Sequence, residues 1–212
     1  MVFAFDLKWG IILKKIAIFG GAFNPIHNGH IHLAMTFQVR VKFDELLLIP
    51  SRISPHKDSG ALIGGEHRLR MCQLVASHYE GFTASDMELR RDGKSFTIDT
   101  VQQLREAYPG DKLYMIVGSD MFLSLDSWHC SNELMKKVTV CAAAREEGEY
   151  ERLIKKQLEL DTMGMKSIIC EIDALPVSST MLRERLQRGL PVSDYLPDYI
   201  ERYIEENHLY AG

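Results

Sequence analysis

The sequence predicts an α/β fold: a Rossmann-like, doubly wound sheet, mostly parallel, with helices on both faces. Three observations predict it. Short apolar, β-favouring runs alternate with helical patterns along most of the 212 residues, as in repeated βαβ units. Runs such as Leu46-Leu47-Leu48-Ile49 are apolar without alternation, as expected of strands covered on both faces. The first such run passes through a glycine-rich turn straight into a helical pattern, an arrangement in which backbone N–H groups and the helix dipole favour phosphate.

The elements follow in order. The first strand is expected over 15–20, where Ile16-Ala17-Ile18-Phe19 is apolar and β-favouring. The turn Gly20-Gly21-Ala22-Phe23-Asn24-Pro25-Ile26-His27-Asn28-Gly29-His30 comes next. Pro25 fixes φ and keeps the chain from entering the helix early, which places the helix at 29–42. His27 and His30 are three apart and share a face once the helix has begun, whereas His32 points elsewhere. These histidines read as phosphate donors, as metal ligands lacking a well-spaced third member, or as turn and surface histidines. The strand-turn-helix context favours phosphate.

The second strand is expected over 45–50. Residues 50–65, with Ser54-Pro55-His56-Lys57, are long for a βα connection, and long loops are often functional. A helix at 66–79, a strand at 83–89 and a helix at 98–107 follow. Ser95-Phe96-Thr97-Ile98-Asp99-Thr100 reads as the start of that last helix, with Thr97 or Asp99 as its cap. The strand at 112–117 opens into a loop over 118–133 that carries Gly118-Ser119-Asp120 and Trp128. An aromatic in that polar loop is either a partly buried anchor or a platform for a flat ring. A strand at 138–143 precedes a helix at 150–159, and the charge run 145–156 reads as a solvated helix face. A strand at 167–172 leads to helices at 179–188 and 196–206.

In Val177-Ser178-Ser179-Thr180-Met181-Leu182-Arg183 a hydroxyl residue should cap the helix. Arg183 in the first turn opposes the helix dipole. A bound polyphosphate would remove that conflict; otherwise Arg183 points to solvent or pairs with an acid. The first turn, both loops and 176–180 all follow strands, so they share one edge of the sheet. Ligands of open α/β sheets bind at that edge.

Composition bounds the function. Hydrophobic residues are 46% and charged residues 25% of the chain, ordinary for a globular protein. A net charge of -4 argues against a nonspecific nucleic-acid binder. Residues 1–13 read as an extension ahead of a single domain at 14–212. Their apolar runs are too short for a signal sequence or a membrane span, and no other segment reads as one. The cysteines Cys72, Cys130, Cys141 and Cys170 form no C-x-x-C pair. Three lie in apolar patterns, as reduced core thiols of a cytoplasmic protein do. A homo-oligomer is left open.

Taken together, these motifs resemble the nucleotidyltransferase superfamily. The first turn resembles its G-G-x-F-D-P-x-H-x-G-H motif, and Val177 to Arg183 its I-S-S-T-x-[LI]-R motif. With Ile53 to Lys57, Ser95 to Thr100, Gly118 to Met121 and Trp128, the resemblance is to bacterial nicotinate-mononucleotide adenylyltransferases and runs from about Lys15 to Tyr210. It implies one nucleotidyltransferase domain that makes nicotinate adenine dinucleotide and pyrophosphate from ATP and nicotinate mononucleotide, with Mg²⁺ carried largely by the phosphates.

Site roles follow from the resemblance. Gly21, Ala22 and Phe23 would offer backbone groups to the nucleotides, and His27 and His30 would contact the ATP phosphates. Gly118, Asp120 and Val177 would surround adenosine, and Ser179, Thr180 and Arg183 would hold the polyphosphate. Lys57, Thr97 and Trp128, with Asn24, would face the nicotinate nucleotide, Trp128 stacked on its pyridine ring. His27, His30 and Arg183 form the catalytic set, and no dedicated metal site is implied. Three departures stand out: Ala22 for a frequent Thr, Asn24 for the commoner Asp, and Phe96 for a frequent Tyr. The alternatives are transfer to nicotinamide mononucleotide, pantetheine phosphate or another phosphorylated acceptor, a non-catalytic nucleotide-binding module, and a metal-binding protein using His27, His30 and His32.

Overall fold

The computed structural model describes residues 13–53 and 62–211. Among them, strands β1 (Lys15–Gly21), β2 (Glu45–Pro50), β3 (Phe82–Ala84), β4 (Lys112–Val117), β5 (Thr139–Ala144) and β6 (Lys166–Glu171) form one sheet in the order β3-β2-β1-β4-β5-β6. All its pairings are parallel, so the expected mostly parallel sheet is wholly so among the described residues. Parallel neighbours need crossovers. These are α1 (Asn28–Val41), α2 (Gly65–Ala76), α3 (Thr97–Ala107), α4 (Ser119–Leu123), α5 (Ser131–Lys137) and α6 (Glu149–Asp161). Helices α7 (Ser179–Gln187) and α8 (Asp198–Glu206) follow β6.

Successive strand residues point to opposite faces, and both faces are buried. Ala17, Phe19, Leu46 and Leu48 pack with Phe37 of α1, Met71 of α2, Leu182 of α7 and Ile200 of α8. Ile16, Ile18, Leu47 and Ile49 pack with Val101 of α3, Phe122 of α4, Leu134 of α5 and Leu153 of α6. This double burial is why the strands read as continuous apolar runs. Cys72, Cys141 and Cys170 are buried free thiols and Cys130 is exposed.

Three local expectations differ. The strand expected at 83–89 is only Phe82–Ala84. It lies at the sheet edge, and after Ser85 N–H reaches Leu48 O the chain turns away. The loop expected at 118–133 contains α4, a 3-10 turn at Leu125–Ser127 and the start of α5. Elements of one or two turns are too short to show a periodic pattern. Helix α3 starts at Thr97 with Phe96 at its N-cap and no side-chain capping bond, so neither Thr97 nor Asp99 caps it. The cap of α7 is as expected: Ser178 Oγ accepts the Met181 N–H at 3.2 Å.

Candidate functional site

The strand order reverses between β1 and β4, and a crevice opens where crossovers leave in opposite directions. The carboxyl ends there are glycines, Gly20-Gly21 on β1 and Gly118 after β4. Two clefts flank this floor, and Gly20, Gly21, Ala22, Gly118 and Met121 line both. One cleft adds Phe23, Asn24, His27, His30, Asp120, Val177, Ser179, Thr180 and Arg183. The other adds Thr97 and Trp128, with Ser51, Glu88 and Thr100. The described site residues therefore converge on one edge. Lys57 lies outside the described residues.

Within the histidine cleft, His27 is the N-cap of α1. Its carbonyl accepts the N–H groups of His30 at 2.9 Å and Ile31 at 3.2 Å. In return His30 Nδ1 accepts the His27 N–H at 3.3 Å. Nδ1 is thus an acceptor, so the neutral His30 ring carries its proton on Nε2 and is a donor there. The two rings lie 3.7 Å apart, tilted by 31°, and the Phe23 ring meets His30 edge-on at 5.2 Å. Phe23 has φ 47°, an uncommon left-handed conformation, and its side chain is buried. Gly29 is a close approach: a Cβ there would lie 3.0 Å from Val177 Cγ1 and 3.2 Å from the His27 ring.

Among the described residues Arg183 pairs with no acid, and its guanidinium turns back onto the first turn and its own helix. Its Nη1 donates to Asn24 O at 2.9 Å and its Nη2 to Thr180 Oγ1 at 3.2 Å. Ser179 lines the same cleft and donates its hydroxyl hydrogen to Pro25 O at 3.0 Å. Asn24 is buried and lies on the histidine side, and its Oδ1 accepts the Tyr210 hydroxyl at 2.9 Å and the Ile63 N–H at 3.4 Å.

The wall of the Trp128 cleft is a buried polar network. Glu88 Oε1 accepts the Thr100 hydroxyl at 2.6 Å, and Thr100 Oγ1 accepts Arg91 Nη2 at 2.7 Å. Arg91 Nη2 stands 3.7 Å from Glu88. Burial pushes the Glu88 carboxyl above its ordinary range. The indole packs on the apolar core beneath the sheet.

Sequence reading missed four of these neighbours. Arg68 on α2 is 2% exposed. It donates to Ala22 O at 2.8 Å, Ser51 O at 2.7 Å and Ile63 O at 3.2 Å, and burial lowers its pKa. Nothing in the pattern marks it apart from an ordinary helix cation. Glu88 fell inside an expected strand, and Tyr210 beyond the last expected helix. Arg145 read as part of a solvated run, yet it lines the histidine cleft and its Nη2 donates to Ser119 Oγ at 3.2 Å. Its position two residues after a predicted strand was the available signal.

Comparison with known proteins agrees with this geometry. Residues 18–185 match the cytidylyltransferase-like family model. A probable nicotinate-nucleotide adenylyltransferase of Carboxydothermus hydrogenoformans is 36% identical over 198 residues, 92% of this chain and 98% of that protein. The nicotinate-nucleotide adenylyltransferase of Bacillus subtilis is 33% identical over 94% of this chain and all of its own length.

The chain belongs to the nicotinate-nucleotide adenylyltransferase family.

Solved structures with the same fold include the Plasmodium falciparum nicotinic acid mononucleotide adenylyltransferase, complexed with NaAD. It has a TM-score of 0.76 and 22% identity, and covers 93% of this chain and 97% of its own. The same enzyme complexed with APC gives a TM-score of 0.75. This adenylyltransferase fold places both clefts over the β1–β4 switch. Among the described residues, no group of three His, Cys, Asp or Glu side chains could hold a metal ion, and no helix is long and apolar enough to cross a membrane.

Proposed function

We propose that the chain transfers the adenylyl group of ATP to nicotinate mononucleotide, forming nicotinate adenine dinucleotide and releasing pyrophosphate. The observation that carries this reading is the pair of clefts meeting over Gly20, Gly21, Ala22 and Gly118. One offers histidines, hydroxyls and an arginine to a polyphosphate, and the other offers an indole to a flat ring. The α-phosphoryl group and the acceptor phosphate meet over the shared floor, where Gly20, Gly21 and Gly118 present backbone alone.

The acceptor phosphate is already ionised near neutral pH, so the reaction needs no general base. It needs in-line alignment and stabilisation of charge on the α-phosphoryl group and the departing pyrophosphate. His30, donating from Nε2, and Arg183, fixed by Asn24 O, supply that stabilisation, and His27 lies beside them. Asp120, Val177 and Gly118 border adenosine. Thr97 and Trp128 face the nicotinate nucleotide, a role the resemblance also gives to Lys57. Mg²⁺ bound to the ATP phosphates would neutralise part of their charge. The cleft carboxylates, Asp120 and Asp173, fit a hydrated ion carried by substrate better than a resident one. A bare carboxylate at Glu88 would oppose an acid substrate, and its pairing with Thr100 and Arg91 offsets that. Residues 14–212 act as one nucleotidyltransferase domain in the cytoplasm.

Pyrophosphate release tests the reading. With ATP, Mg²⁺ and purified protein, release should require nicotinate mononucleotide. ATP hydrolysis independent of the acceptor, or no release at all, would exclude it.

A further inference from the structure

We infer that the C-terminal tail is a working part of the site: Tyr210 is a positioning residue that, through Asn24, holds the turn from Ala22 to His30 in the arrangement adenylyl transfer uses. The inference rests on the function proposed above.

The chain bends back after α8. His208 and Tyr210 have φ of 50° and 64°, and Leu209 N–H returns to Ile204 O at 3.0 Å. Two non-glycine residues in the left-handed region within three positions are unfavourable. The tail nevertheless takes the path that delivers the Tyr210 hydroxyl to Asn24 Oδ1, 186 residues away in sequence. The half-buried phenol lies beside Arg68 and Arg183, and desolvation raises its pKa above the usual tyrosine range. The hydroxyl therefore stays protonated and remains a donor at any working pH.

Asn24 is the junction. Its side-chain oxygen takes Tyr210, and its backbone oxygen takes Arg183. The next positions of the turn are tied to the same end of the chain: Pro25 O to Ser179, and Asn28 N–H to Tyr195 O at 3.0 Å. Arg68 holds Ala22 O from the other side. Tyr210 thus fixes the side chain of the residue whose carbonyl aims Arg183 and whose chain leads directly into His27. A misplacement of about 1 Å at a reacting centre costs as much as ~10²-fold in rate, so losing one of several ties should cost less.

The test compares Tyr210→Phe, Asn24→Ala, the double variant and Tyr203→Phe. Tyr203→Phe removes another hydroxyl of the C-terminal region, one bonded to His67 at 2.9 Å and not to Asn24. Kinetics are read together with amide hydrogen exchange over 20–30 and thermal unfolding. Tyr210→Phe should lower kcat about tenfold with KM for nicotinate mononucleotide within about twofold, and should speed exchange in the turn. Tyr203→Phe should do neither, and Tyr210→Phe should add nothing to Asn24→Ala. Unchanged kcat and exchange in Tyr210→Phe would overturn the inference. So would equal losses in both tyrosine variants in step with stability, or losses that multiply in the double variant. If the wild type fails to use nicotinate mononucleotide, the proposed function falls, and turn exchange in Tyr210→Phe still decides the role of the tail.

Discussion

The two clefts over the β1–β4 switch are built by different means. The histidine cleft draws most of its walls from two segments far apart in the chain, residues 19–33 and 172–183, with Leu62, 118–121 and Arg145 between them in sequence. Long-range hydrogen bonds to one short turn join them: Arg183 to Asn24, Ser179 to Pro25 and Tyr210 to Asn24. The Trp128 cleft takes most of its own wall from 88–128, over the ends of β1 and β2. A local network, Glu88–Thr100–Arg91, and the core beneath the indole hold it. Charge stabilisation demands donors fixed to within fractions of an ångström, and many distant ties supply that. A ring platform needs area and tolerates more slack.

That contrast predicts different failures. The largest effect should come from the histidine side. His30→Ala should lower kcat by ~10²-fold or more, as loss of a charge-stabilising donor does, without a matching rise in KM for the pyridine nucleotide. Steady-state kinetics with both substrates checks this; near-normal turnover would remove His30 from the catalytic set. Trp128→Ala should act on binding, raising KM for nicotinate mononucleotide by roughly tenfold while KM for ATP stays within about twofold. Equal changes in both would erase the division between the clefts.

The smallest effect concerns Glu88. Its folded pKa lies above its unfolded one, so the folded state holds its proton more tightly. The associated stability is present below the ordinary carboxyl range and is lost as pH rises through the folded value. Unfolding temperatures of wild type minus Glu88→Gln should therefore fall as pH rises from about 4. A flat difference would mean that Glu88 does not titrate in this window.

The same contrast explains what was legible in the sequence. Strands β1, β2, β4 and β5 were readable because burial on both faces leaves an apolar run, and the half-buried edge strand β6 because Ile168-Ile169-Cys170 keeps a short one. The histidine turn and the 177–183 segment were readable because glycines, proline and hydroxyls at fixed offsets carry their own conformational meaning. Their internal wiring was not. Whether the Ser179 hydroxyl meets a phosphate or Pro25 O, and whether Asn24 faces an acceptor or Tyr210, depends on residues more than 150 positions apart. Arg68 and Glu88 stayed hidden because a buried charge looks like a solvated one until its partners are known. Helices α4 and α5 are too short to announce themselves by period.

The central claim is that the Trp128 cleft takes the acid mononucleotide while the histidine cleft holds ATP. The direct measurement is kcat/KM for nicotinate mononucleotide and for its amide, with ATP and Mg²⁺ in the same assay. The account predicts a clear preference for the acid, with one pyrophosphate released per dinucleotide formed. A preference for the amide would contradict it.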